Sequence, residues 1–245
     1  LAHEKINQMK KITLNTSLAL GLTLLSSLSF AQKQVETDAA VAYQAFEKAQ
    51  MMQKMDDAKS ALLRAKKSID AASSNPETEK SPKTLFFKGE IYSSLAFMKM
   101  LGDAEFNKNI PDDAIQIGVD AYKASYSGST KYKTDIENSV NTIKQLMHPL
   151  GQAAYEAKKF KEAGEAFGVI NKYNSILGTV DTVYIYYQGM AAESDTNWVK
   201  AAEYYKTCAE MGYQPDATYR ATAMAYIKAG QNDKAVDFLK QAIAK

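Results

Sequence analysis

From Gln32 onward, large apolar residues recur every three to four positions, and long runs of strict alternation are absent. That period predicts helices nearly throughout. Three stretches repeat one pattern: KKFKEAGEAF at Lys158–Phe167, NWVKAAEYY at Asn197–Tyr205 and QNDKAVDFL at Gln231–Leu239. Each has a polar turn, then an alanine, then a large apolar residue four places on. The pairs are Ala163 with Phe167, Ala201 with Tyr205 and Ala235 with Leu239. The alanines lie 38 and 34 residues apart. Self-similarity at such a period predicts stacked helical hairpins. TVYIYY at Thr182–Tyr187 is β-prone by composition, but it lies in register with the repeat and reads as a helix start.

Upstream the pattern loosens. Asp57-Ala58 with Leu62 and Ala65 mark the second helix of a hairpin. Gly89 with Tyr92 marks a first helix, and Asp113-Ala114 with Gly118 and Ala121 mark its partner. The alanine spacings grow to 56 and 49, so insertions lengthen these units. GDAEFNKNIPDD at Gly102–Asp113 is expected to be a loop, with Pro111 near a helix start. SGSTKYK at Ser127–Lys133 is a second break. DIENSVNTIKQLMHPLGQAAYEAKK then reads as one helical pattern that Pro149 should kink or interrupt.

These residues resemble the tetratricopeptide repeat family, a helix–turn–helix unit of 34 residues. Leu150 and Gly151 match its Leu-Gly pair, Ala163 its small residue and Phe167 its aromatic. The next unit offers Gly189, Ala201, Tyr205 and Cys208; the last offers Ala223, Tyr226, Gly230, Ala235, Leu239 and Ala242. The resemblance implies an all-α, right-handed α-solenoid of about five hairpins. Residues 32–245 would form one such domain, irregular over 82–133 and most regular over 145–245. The small residues have a mechanical role, since two helices pack at ~8–10 Å only with small side chains at the crossing.

The 30 basic and 28 acidic residues leave no basic excess to suggest nucleic acid. The N-terminus adds an address. Met9-Lys10-Lys11 precede an apolar run at Leu18–Leu28, and Ser29-Phe30-Ala31 forms a small-x-small site. This pattern predicts a signal peptide starting at Met9 and cut after Ala31. The 11-residue core is too short to span a bilayer, which takes ~20 apolar residues. No cysteine follows it, so the leader is not that of a lipoprotein. The expectation is a periplasmic or secreted chain with no membrane span after cleavage.

Candidate chemistry is sparse. Neither GxxxxGK[ST] nor GxGxxG occurs, and no GxSxG elbow is present. His148 stands beside Pro149 without a metal-ligand partner at a known spacing. The single cysteine, Cys208, falls on a packing face. Asp56-Asp57 and Asp112-Asp113 sit at predicted helix starts, where carboxylates favour the dipole. Met51, Met52 and Met55 match one helical face and are expected in the core. No catalysis, cofactor or metal is expected.

In the family, the first helix of each hairpin lines an inner wall. Carrying those positions over gives Tyr43, Phe86, His148, Gln152, Tyr155, Tyr186, Met190, Arg220 and Met224 as a candidate partner-binding groove. The family's carboxylate clamp uses Lys and Asn where this chain has His148, Pro149 and Gln152, so that subtype is excluded. Val236, Phe238 and Ile243 form a candidate C-terminal contact, for a partner or for a second copy of the chain. The functional expectation is a non-catalytic scaffold of the bacterial cell envelope that binds a protein or peptide. The alternative is a module for a small ligand or glycan fragment, held by groove tyrosines.

Overall fold

The structure is a computed structural model, and it describes residues 33–100 and 104–243. The leader and its cleavage site lie outside the described residues. Eleven α-helices and one 3-10 turn, with no strand, make up the described chain. The helices are α1 (residues 33–51), α2 (Met55–Ser73), α3 (Pro82–Met100), α4 (Ala104–Asn107), α5 (Ala114–Gly128) and α6 (Lys133–Glu156). Then come α7 (Phe160–Asn174), α8 (Thr182–Ser194), α9 (Trp198–Glu210), α10 (Pro215–Lys228) and α11 (Asn232–Ile243). They pair as five hairpins, α1–α2, α3–α5, α6–α7, α8–α9 and α10–α11; α4 is a single extra turn. No helix of the described residues is long and apolar enough to cross a membrane.

The chain divides into two compact units, up to Ser129 and from Thr130. In the first, α1 and α3 run in the same direction. Near the start of α1, Glu36 accepts hydrogen bonds from the Ser81 hydroxyl, from the Thr84 N–H at 3.1 Å and from the Thr84 hydroxyl at 3.0 Å. One carboxylate thus satisfies donors at the N-terminus of another hairpin's helix. Further along, the Tyr43 hydroxyl meets Glu90 and Ser94 on α3, each at 3.0 Å. Phe46, Leu62, Ile69, Ile91 and Leu95 fill the core of this unit.

The described part of the expected loop, residues 104–113, is one helical turn, α4, followed by turns. Its Phe106 and Ile110 are buried, and Lys99 pairs with Asp112 at 2.5 Å. Met51, Met52 and Met55 are exposed, not in the core, with Met51 at 87%. The helical period does not continue through them: α1 ends at Met51 and Gln53 turns the chain with φ 56°.

In the second unit α6 runs unbroken through Pro149 to Glu156, so the proline does not end the helix. From α6 to α11 each helix packs mainly on its neighbours in the chain. The crossings explain the glycines and alanines. A Cβ on Gly151 would lie 2.5 Å from the Phe167 ring, and one on Gly189 would lie 2.7 Å from the Tyr205 ring. In the first unit Gly89 meets the Tyr122 ring in the same way. Each ring stands four residues after the small residue of its own helix: Gly118, Ala163 or Ala201. Ala163, Ala201 and Cys208 are fully buried, and burial pushes the Cys208 thiol up to about 11. A buried, protonated thiol is unreactive.

Four hairpin tips share one backbone motif. Gln53, Lys158, Thr196 and Gly230 have φ of 56°, 60°, 58° and 74°. The next N–H in each case donates to the carbonyl five residues back: Lys54 to Ala49 at 2.9 Å, and Lys159 to Ala154, Asn197 to Ala192 and Gln231 to Tyr226, each at 2.8 Å. This is the Schellman ending of a helix, which favours glycine. Only the last tip has one. Thr196 is β-branched and so the most strained there. Thr196→Gly is expected to stabilise the protein by about 1 kcal/mol, although glycine normally weakens a chain. Chemical denaturation measures this; a loss of stability would contradict it.

Candidate functional site

A cavity of about 250 Å³ opens within the second unit, lined by His148, Gln152, Tyr155, Phe167, Tyr187 and Met190. Its construction follows from the crossings. His148, Gln152 and Tyr155 are spaced four and three residues apart on α6, so they share a face. Tyr187 and Met190 do the same on α8. Gly151 lets the Phe167 ring of α7 come up against α6, where it forms part of the lining. Phe167 and Tyr187 have ring centroids 5.2 Å apart at 49°. That lies within the range of favourable tilted pairs.

Neighbours hold the walls in place. The Tyr155 and Ser194 hydroxyls are 2.8 Å apart, and the Tyr155 ring lies 5.2 Å from Phe160. His148 Nδ1 faces the Tyr184 hydroxyl at 3.3 Å, with the two rings edge to face at 5.8 Å. Gln152 donates to Glu156 at 3.0 Å. Behind Tyr184, the Lys144 ammonium stands 5.3 Å from the ring centroid and donates to Asp181 at 2.9 Å. Asp181 also caps α8 by accepting from the Val183 N–H at 3.2 Å. Asn171 of α7 grips the Asp181 backbone through both its N–H and its carbonyl. The start of α8, and with it the position of Tyr187, is therefore fixed from two helices.

Buried phenols set the electrostatics. Burial first, then acidic neighbours, push Tyr43, Tyr92 and Tyr205 above the ordinary 10.0 of a phenol. Tyr92 donates to Asp70 and Tyr205 to Glu193, each at 2.6 Å. The hydrogen bond to Asp181 likewise raises Lys144. These groups hold their protons to higher pH folded than unfolded. Their contribution is complete below about pH 10 and falls as pH rises through the folded values. Stability is therefore expected to drop on the alkaline side of pH 10. Denaturation across pH 8–11 checks it, and Tyr92→Phe with Tyr205→Phe should flatten the decline.

Of the nine groove residues expected from the sequence, the cavity brings together His148, Gln152, Tyr155 and Met190. The others lie elsewhere. Tyr43 is buried in the first unit by its bonds to α3, so it offers no free contact face. Phe86 is half-buried, edge to face with Phe87 at 5.1 Å and tilted against Tyr122 at 6.3 Å. Tyr186 packs on Tyr205 and Tyr213. Arg220 is exposed, its Nε donating to the Asp216 carbonyl, and Met224 is exposed on α10. Sequence reasoning missed Tyr187 and treated Phe167 as core alone. Tyr187 stands at three residues before Met190, a helical spacing that marks it as a neighbour on the same face.

The C-terminal contact needs a correction. Phe238 is buried at 7% exposure, against Tyr219 at 5.4 Å and Tyr226 at 6.4 Å. With Ala235 it forms the inward stripe of α11. Val236, Leu239 and Ile243 form the adjacent stripe and stay exposed, Ile243 at 87%. Among the described residues no group of three or more His, Cys, Asp or Glu side chains could hold a metal ion.

No protein-family model matches the chain. No curated protein matches it either. Among solved structures it is similar to that titled "Crystal structure of MamA protein", at 18% sequence identity and a TM-score of 0.34, over 84% of this chain and 91% of that one.

Proposed function

We propose that this chain is a non-catalytic scaffold of the bacterial cell envelope that docks a protein or peptide on the face shared by α6 and α8. The observation that carries the reading is the cavity itself. Side chains from the first helices of two hairpins converge with Phe167 on one concave, mostly apolar site, held open by hydrogen bonds outside it. The mostly apolar, aromatic lining favours recognition by burial of a partner's side chain. The envelope address rests on the leader, and N-terminal sequencing of the natural protein should read from Gln32.

The test is affinity capture from envelope extract, with the chain from Gln32 onward as bait and mass spectrometry as readout. Gln152→Trp is the matched control. Gln152 is exposed on the cavity rim, so a bulky ring there obstructs the site with little effect on the core. A partner captured by the wild type and lost by the variant is the expected result. An identical set from both baits would defeat the reading.

A further inference from the structure

We infer that the cavity between α6, α7 and α8 receives one uncharged aromatic ring with a polar tip, the side chain of a tyrosine or tryptophan in the docked peptide. The inference rests on the docking reading above and names what enters. Size is the first argument. A cavity of ~150 Å³ holds a benzene ring, and sites for drug-sized ligands begin near ~300 Å³. At about 250 Å³ the space falls between, enough for one substituted ring and too small for a long segment.

Charge is the second argument. The six lining side chains include no Lys, Arg, Asp or Glu. A charged side chain entering would lose water and find no opposite charge among the lining side chains, with Glu156 beside them already bonded to Gln152, so the transfer is costly. A neutral ring loses little and gains apolar burial. The third argument is the geometry of the wall. Phe167 and Tyr187 already stand in a tilted pair, and His148 lies 6.4 Å from Tyr187 at 42°. A guest ring would complete an aromatic cluster at the ~4.5–7 Å separations such groups favour.

The polar tip follows from what the walls leave over. His148 uses Nδ1 toward Tyr184, and Gln152 uses its amide nitrogen toward Glu156. His148 Nε2, the Gln152 carbonyl and the Tyr187 hydroxyl make no hydrogen bond within the described protein. A phenol or indole donor gains a hydrogen bond to one of them as its ring packs, whereas a phenylalanine ring gains none.

The experiment uses p-cresol and indole as stand-ins for the two side chains, titrated into the chain from Gln32 onward with 13C-methyl methionine. Met190 reports from the cavity wall, and its signal is assigned with Met190→Leu. Both compounds should shift the Met190 methyl saturably, and Gln152→Trp should weaken this at least tenfold while the helical circular dichroism is unchanged. Toluene should bind more weakly than p-cresol. Absence of a saturable shift overturns the inference, as does tighter binding by tetramethylammonium, which would mark a cation site, or by methyl glucoside, which would mark a sugar site. If p-cresol fails yet Gln152→Trp still abolishes partner capture, the ring inference falls and the docking reading stands. If p-cresol binds but no captured partner depends on the cavity, the docking reading falls, and with it the assignment of the ring to a peptide.

Discussion

Phe167→Ala is expected to cost about 3–5 kcal/mol, the range for truncating a buried aromatic. Phe167 is buried at the α6–α7 crossing and reaches across to Tyr184 and Tyr187. Its removal leaves a void against Gly151. The sharper test is the pair. Gly151→Ala alone would push a methyl to 2.5 Å from the ring and should cost about 1–3 kcal/mol by overpacking. In the Phe167→Ala background the obstacle is gone. The same substitution should then gain up to about 1 kcal/mol from helix propensity. A change of sign between backgrounds is the signature of direct contact. Urea unfolding followed by circular dichroism measures all four proteins. If Gly151→Ala stabilises the wild type, the crossing is wrong.

Ala201→Leu is the second large effect. Ala201 is fully buried in α9, one turn before the Tyr205 ring that fills the space above Gly189. Three further heavy atoms must displace a neighbour, at a cost of about 1–3 kcal/mol or more. The control is Val199→Leu, two residues away and exposed. It should change stability by no more than about 0.5 kcal/mol. Equal melting temperatures for the two variants would contradict the packing.

The helices were legible because their crossings demand small residues, and Gly89, Gly151, Gly189, Ala163 and Ala201 stand out against larger neighbours. Hairpin tips were less legible, because Gln53, Lys158 and Thr196 take a backbone conformation that glycine usually announces. The exposure of Met51, Met52 and Met55 was hidden for the same reason: periodicity cannot show where a helix stops when the stop carries no glycine. The burial of Phe106 and Ile110 was not legible because they are two apolar residues in a polar stretch, without a period.

The site was half legible. Helical spacing on α6 places His148, Gln152 and Tyr155 together, but the neighbouring wall depends on how α8 is rotated. That rotation is set by Asn171 and Asp181, residues with no apolar signal. Phe238 shows the same limit on α11. Its arc was readable, but the choice of which stripe faces Tyr219 and Tyr226 belongs to tertiary packing.

The neighbour-to-neighbour packing of α6 through α11 has a kinetic consequence. Native partners in this unit are close along the chain, so its contact order is low and little loop-closure entropy stands before the first stable hairpins. Assembly can begin at any of the three hairpins and spread outward like a zipper. By the same logic, one hairpin can open without its neighbours. Because α11 packs mainly on α10, the α10–α11 hairpin can part from the rest while α6 to α9, which carry the cavity, remain folded.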